Sequence, residues 1–244
     1  MALTLCVVVP PKFPALTEVD PDDSQRPSWE LKFLLTYKIH EDDMKTLLPR
    51  RWLNDEIINF YRALIQVQCN NQNRSVWSFR TNFYSTLTSK GYKDVKRWTR
   101  RVESTIFEKE LIIIPINVGS THWCCGVINF TANLFEVYDS SKILKADEFG
   151  ENMLDYLKEE HFDKKKVKFD TDGWESVECD CPLQNNGVDC GVFTSQFMRC
   201  LAFNKRVDGH AQFDFDQSKI PYLREQMISD IRNKEILGKA VELQ

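Results

Sequence analysis

The sequence lacks any apolar run close to the ~20 residues that a membrane-spanning helix requires. It also lacks a net positive charge: 36 acidic residues outnumber 32 basic ones, and the balance of -4 argues against a protein that binds nucleic acid through phosphate contacts. The N-terminal stretch LTLCVVVPP is short, and no Lys or Arg precedes it, so it is not typical of a signal peptide. These absences predict an intracellular, soluble protein that spans no membrane and binds no nucleic acid.

Cysteine spacings typical of a metal site are absent as well. The chain has eight cysteines, and the only close pairs are Cys124-Cys125 and Cys179-x-Cys181. Neither pair matches the two well-spaced pairs of ligands that a structural zinc site needs. In a reducing compartment the cysteines should remain thiols. We therefore expect neither a metal nor a cofactor.

The composition changes near residue 28. Residues 1–28 hold five prolines and the acidic run Asp20-Pro21-Asp22-Asp23, a pattern typical of an extended arm. From residue 29 onward, apolar segments follow one another with short turns between them, and no linker interrupts them. The sequence therefore predicts an N-terminal arm over residues 1–28 and a single domain over residues 29–244.

Hydrophobic periodicity predicts a mixture of helices and strands in this domain. The stripe Ile57, Ile58, Tyr61, Leu64 and Ile65 predicts one buried helix face, and Asn54 or Asp55 can cap that helix. The strands cluster in the middle of the chain, which favours an α+β fold. The predicted helices are 53–69, 149–162, 190–203 and 222–237, and the predicted strands are 111–114, 122–130 and 134–139.

Cys190 stands where a polar, turn-like segment runs into an apolar helical pattern. A helix N-terminus favours the thiolate over the thiol through its dipole and free N–H groups, and the thiolate is the reactive nucleophile. Gly191 adds no side chain beside the sulfur, so we expect it to let a substrate backbone approach. Cys190 is thus the candidate nucleophile, whereas the other seven cysteines are interpreted as structural.

His122 is the best placed of the four histidines to serve as the base. A turn at Gly119-Ser120-Thr121 precedes it, and it begins a predicted strand that would hold the ring at the rim of a sheet. The other three histidines lie in charged or glycine-containing segments and are expected to be solvated: His40, His161 and His210.

Asp139 and Gln184 complete the template of a nucleophile, a base, an orienting acid and an oxyanion donor. Asp139 ends the strand that pairs with the one beginning at His122, and in an antiparallel hairpin these two ends meet. A carboxylate there would orient the imidazole and stabilise its charged form; the ordinary alternative is a turn residue. The Gln184 amide and the Cys190 backbone N–H would donate to the oxyanion.

Five motifs surround these candidates and extend the pattern beyond them. They are Arg51-Trp52-Leu53-Asn54-Asp55-Glu56-Ile57-Ile58, Gly91-Tyr92-Lys93-Asp94-Val95-Lys96-Arg97-Trp98, Thr121-His122-Trp123, Val137-Tyr138-Asp139-Ser140 and Gln184-x5-Cys190-Gly191. In residue type and spacing they resemble the SUMO-specific (sentrin-specific) branch of the ubiquitin-like proteases. The similarity extends over about residues 29–237, and the segment Phe169–Trp174 looks most like the animal members.

The resemblance implies a papain-like, adenain-type α+β fold, with a central mixed or antiparallel sheet flanked by helices. It implies a monomeric cysteine protease whose partners are SUMO and SUMO-conjugated proteins. It also implies a nuclear location, with the cytoplasm as a second compartment. The expected activities are release of SUMO from lysines of target proteins and maturation of SUMO precursors.

The resemblance also implies substrate-binding roles for three residues. Trp52 and Trp123 match tryptophans that enclose the Gly-Gly tail of the modifier. Such a role is physically reasonable, because a channel between two indoles admits only residues without a Cβ atom. Asp55 matches a carboxylate that pairs with an arginine of the modifier. The ordinary alternatives are core packing for each tryptophan, which is the better interpretation of Trp52 taken alone, and the helix cap for Asp55.

The sequence departs from the family at two places. Asn82 stands where relatives carry an aromatic residue that touches the modifier, which bears on the SUMO form that is held. Cys179 and Cys181 are not expected from the family and are interpreted as surface thiols. Separately, Lys96, Arg97, Arg100 and Arg101 form a basic stretch that could meet acidic groups of the partner or could simply be solvated.

Three other functions stay open at this point. A Gly-Gly channel would equally serve a protease for NEDD8 or ubiquitin. A module that binds SUMO without cutting it would keep the same surface. An acyltransferase could use the same His-acid-Cys set, although the paired tryptophans would leave little room for a bulky acyl carrier.

Overall fold

The computed structural model describes residues 27–102 and 105–236 of the chain. The predicted N-terminal arm lies outside the described residues except for Pro27 and Ser28, and Ser28 already begins a helix. The described part folds into helices and strands in the order α1 (Ser28–Leu34), α2 (Glu41–Lys45), α3 (Asp55–Asn71), β1 (Val76–Ser78), α4 (Asn82–Lys90), α5 (Tyr92–Val95), β2 (Leu111–Val118), β3 (His122–Asn129), β4 (Leu134–Tyr138), α6 (Ala146–Lys165), β5 (Glu175–Glu178), α7 (Cys190–Phe203) and α8 (Ile220–Asn233).

The five strands form one mixed sheet in the order β1-β2-β3-β4-β5. Its centre is antiparallel, since β3 pairs with both β2 and β4 in opposite directions. Each edge strand is parallel to its neighbour, β1 to β2 and β5 to β4. The predicted α+β fold with a mixed sheet flanked by helices is confirmed.

The alternation of side chains along β2 builds a separate core on each face of the sheet. Ile113 points into a cluster formed with α3, α7 and α8. Its neighbours Ile112 and Ile114 point into a second cluster formed with α4 and α6. Because both faces of the central strands are covered, β2 and β3 are apolar along most of their length, and their polar residues lie near the strand ends: Asn117, His122 and Asn129. The packed strands hold these ends rigidly.

Helix α7 begins and ends where the sequence predicts. Helix α3 begins two residues later than predicted, because Asn54 is its cap and accepts the backbone N–H of Ile57 at 3.1 Å. Strand β2 runs four residues past its predicted end and includes Pro115. At that position β1 has already ended, so the missing N–H of Pro115 costs no hydrogen bond to a strand on that side.

The sequence pattern did not predict the shortest elements, including the edge strands β1 and β5. These have three and four residues, too few for an alternating pattern to stand out. None of the helices in the described ranges is both long and apolar enough to cross a bilayer.

Candidate active site

Cys190 is the first residue of α7, and its side chain is buried. Burial alone would raise the pKa of the thiol. A hydrogen bond with His122 and backbone N–H donors from Trp123 and Gly191 outweigh that effect, so the pKa of Cys190 lies below its ordinary value. The sulfur is therefore stabilised as a thiolate, the form that acts as a nucleophile.

The ring of His122 lies between Cys190 and Asp139. Its Nε2 is 2.6 Å from a carboxylate oxygen of Asp139, and both side chains are buried. Because an ionised carboxylate can only accept, Nε2 carries the proton in this contact. Nδ1 is then the ring nitrogen left for the sulfur. The hairpin of β3 and β4 brings the first two residues together, and α7 supplies the third.

Asp139 is held by the turn that follows β4. One carboxylate oxygen accepts the backbone N–H of Ser141 at 2.8 Å, and the other accepts those of Ile143 and Leu144 at 2.8 and 2.9 Å. Burial would raise the pKa of this carboxyl, but the contact with His122 and these N–H donors hold it below its ordinary value. Asp139 is therefore a fixed anion and also the turn residue of the alternative interpretation.

The electrostatics favour a charged pair at the site. Burial lowers the pKa of His122, yet its hydrogen bonds to Asp139 and Cys190 raise it to about 9 overall. A raised histidine pKa beside a lowered cysteine pKa favours the imidazolium–thiolate pair over the neutral imidazole and thiol. Such a pair can attack a carbonyl carbon and then protonate a leaving group without an outside base.

Gly191 serves packing rather than substrate access. A Cβ atom at this position would lie 2.8 Å from Cβ of Leu53, closer than real Cβ atoms approach other carbon atoms. The expectation that Gly191 leaves room beside the sulfur is therefore wrong, because Leu53 fills that room. The missing side chain lets the first turn of α7 pack directly on the segment that carries Trp52.

Gln184 is clamped by Ser140, the residue after Asp139. The Ser140 hydroxyl donates to the side-chain oxygen of Gln184 at 2.7 Å, and the Ser140 carbonyl accepts the Gln184 backbone N–H at 3.1 Å. These contacts fix the plane of the amide, whose nitrogen donates to the carbonyl of Asn186. The oxyanion role of Gln184 stays a prediction. Ser140 was missed as a positioning residue, although it is part of the Tyr138-Asp139-Ser140 motif.

A groove of about 450 Å³ opens in front of Cys190, and both Trp52 and Trp123 line it. Trp52 is 52% exposed and donates its indole N–H to the carbonyl of Gly187 at 2.9 Å. Core packing, which the sequence favours for Trp52 when that residue is taken alone, is therefore wrong. Trp123 is buried, and its indole N–H donates to the carbonyl of Leu53 at 3.2 Å.

Asp55 and Asn82 line the same groove. Asp55 is exposed in the first turn of α3 and is not the helix cap, because Asn54 fills that position. Among the described residues no cation lies within ion-pair distance of its carboxylate. Its charge is thus available to a partner, as the resemblance implies.

The sequence did not predict a buried ion pair that involves the residue before the nucleophile. Arg224 of α8 donates to the carboxylate of Asp189 at 2.7 Å, and both side chains are almost completely buried. The same guanidinium donates to the carbonyls of Thr46, Leu48 and Arg51. One arginine therefore fixes both the residue before Cys190 and the segment that leads to Trp52. No local pattern around residue 224 signals this role.

Cys179, Cys181 and the other three histidines differ from Cys190 and His122 in their surroundings. Burial raises the pKa of Cys179 to about 11 and that of Cys181 to about 12, and both are half-buried against the core rather than free surface thiols. His40 and His210 are exposed, as expected. His161 is half-buried instead, because its ring packs edge-on against Phe107.

Known proteins are similar to this chain in sequence. The chain is 38% identical to a sentrin-specific protease of Caenorhabditis elegans, over 82% of this chain and 28% of that protein. It is 33% identical to human sentrin-specific protease 5, over 82% of this chain and 25% of that protein. The chain thus spans about a quarter of the length of these curated relatives.

Solved structures agree with the sequence relatives. The SUMO protease Ulp1 with its catalytic cysteine oxidised to a sulfinic acid superposes with a TM-score of 0.69 at 26% identity, covering 89% of this chain and 96% of that one. The Ulp1 protease domain in complex with SMT3, the yeast ortholog of SUMO, gives 0.67 at 26% identity, covering 89% and 97%.

The family model that matches describes the C-terminal catalytic domain of the Ulp1 proteases, and the match covers residues 51–239. That range contains each residue of the groove in front of Cys190, together with Asp139 and Gln184. The chain therefore belongs to the Ulp1 protease family.

Proposed function

We propose that this domain, assigned to residues 29–244, is a cysteine protease that cleaves after the C-terminal Gly-Gly of SUMO. It would release SUMO from lysines of target proteins and mature SUMO precursors. The observation that carries the proposal is the hydrogen-bonded series Asp139, His122 and Cys190, whose last member lines a groove together with Trp52 and Trp123. The sentrin-specific relatives and the Ulp1 complex with SMT3 support the choice of modifier.

The reaction follows from the charges at the site. The Cys190 thiolate attacks the carbonyl carbon of the last glycine, and the negative charge moves to the carbonyl oxygen. The Cys190 backbone N–H, free because it lies in the first turn of α7, and the Gln184 amide donate to that oxygen. The C–N bond then breaks as the His122 imidazolium protonates the leaving amine, which leaves a thioester on Cys190.

Water completes the cycle. The neutral His122 takes a proton from water, the hydroxide attacks the thioester, and the thiolate leaves. The product is the carboxylic acid of SUMO, which releases its proton to the solvent and becomes the carboxylate. His122 again holds the proton as an imidazolium. A lysine amine as leaving group gives deconjugation, and a peptide amine gives maturation. One site serves both, because the amine side lies outside the indole channel.

The two tryptophans that line the groove suit a narrow channel for a glycine tail. Trp52 and Trp123 are each tied by the indole N–H to a backbone carbonyl, so the walls cannot easily move apart. A chain between two fixed rings must lack Cβ atoms. Asp55, exposed at the side of the groove, would pair with an arginine on the globular part of SUMO. We further propose a monomer that acts in the nucleus, or alternatively in the cytoplasm, and needs no cofactor.

The decisive experiment compares SUMO, NEDD8 and ubiquitin, each with a C-terminal fluorophore. We expect the fastest turnover with SUMO, complete loss of turnover in Cys190→Ser, and retained SUMO binding by that variant. Cys179→Ser is the matched control and should keep full activity. Faster cleavage of NEDD8 or ubiquitin would overturn the choice of modifier. Retained cleavage by Cys190→Ser would refute the choice of nucleophile.

A SUMO probe with a C-terminal electrophile separates an enzyme from a binding module. An adduct on Cys190, located by mass spectrometry of the peptides, is the expected outcome. Binding of SUMO without any adduct would instead favour a module that recognises the modifier and does not cut it.

A further inference from the structure

The loop before α7, residues 184–189, separates the two proposed oxyanion donors; we call it the oxyanion loop. The Gln184 amide lies at its start, and the Cys190 backbone N–H follows its end. The residues between the donors form neither helix nor strand, and several of them are exposed. Both donors must lie about 2.7–3.1 Å from the same oxygen atom, so the oxyanion hole is only as precise as this loop.

Gln217 contacts both ends of the oxyanion loop from outside it. Its side-chain oxygen accepts the backbone N–H of Asn185 at 2.8 Å, and its Nε2 donates to the carboxylate of Asp189 at 2.9 Å. Asn185 and Asp189 are the neighbours in sequence of the two donor residues. One amide therefore spans the loop and sets the distance between its ends.

The two partners fix the orientation of the Gln217 amide. The Asn185 backbone N–H can only donate, and an ionised Asp189 carboxylate can only accept. Burial would raise the pKa of Asp189, but hydrogen bonds from Arg224 and two side-chain amides hold it below its ordinary value. The amide oxygen must then face Asn185 and the nitrogen must face Asp189. An ionised glutamate at position 217 would offer no donor, and a lysine would offer no acceptor.

Asn186 shapes the same loop from the inside. Its side-chain oxygen accepts two backbone N–H groups of the loop, at 2.9 and 3.2 Å, and its amide nitrogen donates to Asp189 at 2.7 Å. Its carbonyl accepts one N–H of the Gln184 amide, which leaves the second N–H for an oxyanion. These contacts link the loop to itself, whereas Gln217 links the loop to the segment before α8.

The fold does not depend on the two hydrogen bonds of Gln217. The Asp189 carboxylate already has the guanidinium of Arg224 as its counter-ion. The exposed Asn185 can donate its N–H to water instead, at little cost in free energy. Two bonds that the fold can replace, and that meet the loop at both of its ends, indicate a role in the geometry of the oxyanion hole.

We infer that Gln217 is a positioning residue for cleavage, which holds the Gln184 amide and the Cys190 backbone N–H at the spacing that lets both donate to one oxyanion. The inference rests on the proposed function and adds to it a residue remote from the substrate. Gln217 does not line the groove in front of Cys190, so binding of SUMO should not depend on it. Its loss should lower kcat and leave KM unchanged.

The test is Gln217→Met in the full chain, which keeps the length of the side chain and removes its donor and acceptor. We expect kcat for SUMO–fluorophore cleavage to fall about tenfold, because a misplaced donor stabilises the oxyanion less, with KM within about twofold of the wild-type value. Gln212→Met is the matched control, since that exposed glutamine donates to the carbonyl of His210 and not to the loop. An unchanged kcat in Gln217→Met, a rise in KM alone, or an equal loss in Gln212→Met would overturn the inference.

Two further measurements separate positioning from a general structural defect. Exchange of the Cys190 thiolate with a small aromatic disulfide needs no oxyanion hole, so its rate in Gln217→Met should equal the wild-type rate. Gln184→Met should lower kcat about 100-fold, and Gln217→Met added to it should cause no further loss, because no amide is left to position. Slower disulfide exchange, or two losses that multiply in the double variant, would assign Gln217 to the nucleophile or to the fold and overturn the inference.

The proposed function fails independently if the wild-type chain cleaves none of SUMO, NEDD8 and ubiquitin. Hydrogen–deuterium exchange then tests the contact itself. Peptides that cover residues 184–190 should exchange faster in Gln217→Met than in the wild-type chain, and at the wild-type rate in Gln212→Met. Equal exchange in all three proteins would show that Gln217 does not hold the loop, and would overturn the inference whether or not the chain is a protease.

Discussion

Two groups of arginines differ in whether a carboxylate of the chain forms an ion pair with them. Arg224 and Arg206 have such a partner. The other group lines a cavity of about 460 Å³, the arginine cleft, and consists of Arg62, Arg80, Arg97, Arg100 and Arg101. Arg224 is buried against Asp189, the residue before the nucleophile, and Arg206 contacts Glu136 of β4 at 2.7 Å. In the arginine cleft no carboxylate of the described residues lies within ion-pair distance of a guanidinium group. Charges with a partner inside the chain are fixed in place and support the site, whereas charges without one are available to a bound molecule. Changes in the first group should therefore cost the most.

The largest effect is expected from removal of the carboxylate that faces His122. In Asp139→Asn the amide cannot stabilise the imidazolium, and the ring is free to adopt the wrong tautomer. We expect kcat for SUMO–fluorophore cleavage to fall about 10³- to 10⁴-fold, by analogy with the acid of a serine protease triad. The exposed Asp180→Asn is the control and should retain wild-type kcat. A loss below tenfold would mean that Asp139 does not orient the ring.

The same variant should also change the pH dependence. In the wild-type chain the pKa of His122 is raised to about 9, so its proton is retained up to that pH and lost above it. Activity should therefore decline as the pH rises through about 9, with the apparent value belonging to the coupled Cys190–His122 pair. Without the carboxylate the pKa of His122 should fall, so the alkaline limb should move to lower pH. An unmoved limb would contradict this assignment.

The next largest effect should come from breaking the buried ion pair. In Arg224→Met the carboxylate of Asp189 stays buried without its cation, and three backbone carbonyls lose a donor. We expect the free energy of unfolding in urea to fall by about 3–5 kcal/mol. The control is Lys145→Met, which removes an exposed contact to Glu178 and should cost less than about 1 kcal/mol. Similar losses in both variants would refute the contrast between buried and exposed pairs.

A smaller effect is expected from a side chain added to the tight packing beside the nucleophile. In Gly191→Ala the new Cβ would lie 2.8 Å from Leu53, so α7 or the Trp52 segment must shift. We expect a loss of about 1–3 kcal/mol in unfolding free energy, as is usual for an overpacked core, together with reduced activity. Gly187→Ala, in the loop just before α7, is a matched control, because its Cβ would meet nothing within 4 Å. A neutral Gly191→Ala would mean that Leu53 can move aside freely.

The smallest effect is expected in the arginine cleft itself. In Arg100→Gln with Arg101→Gln no ion pair within the described chain is lost. We expect the free energy of unfolding to stay within about 0.5 kcal/mol of the wild-type value in urea. A larger loss would show that these arginines support the fold and would weaken the contrast with Arg224.

The sequence predicted what depends on neighbours along the chain. The apolar stripe of α7 and the alternation in β3 and β4 are local patterns, and they located the helix N-terminus and the hairpin. Since a hairpin brings its open ends together, the contact between His122 and Asp139 followed from strand order alone. The structure places both residues there, with 2.6 Å between Nε2 and the carboxylate.

What the sequence could not predict depends on distant segments. Arg224 reaches Asp189 across 35 residues and the carbonyl of Arg51 across 173, and nothing near either end signals the contact. The role of Gly191 likewise depends on Leu53, which is far away in sequence. The arginine cleft combines α1, α3, β1 and the stretch after α5, so the basic stretch alone gave no sign of the buried Arg62.

The contrast among the sulfur atoms has a practical consequence for labelling. Of the described cysteines, Cys190 has a lowered pKa, whereas the other six have a raised one: Cys69, Cys124, Cys125, Cys179, Cys181 and Cys200. An alkylating reagent such as iodoacetamide, used briefly near neutral pH, reacts with thiolates and so should tag position 190 well ahead of those six. The stoichiometry of that tag would then count the competent molecules in any preparation.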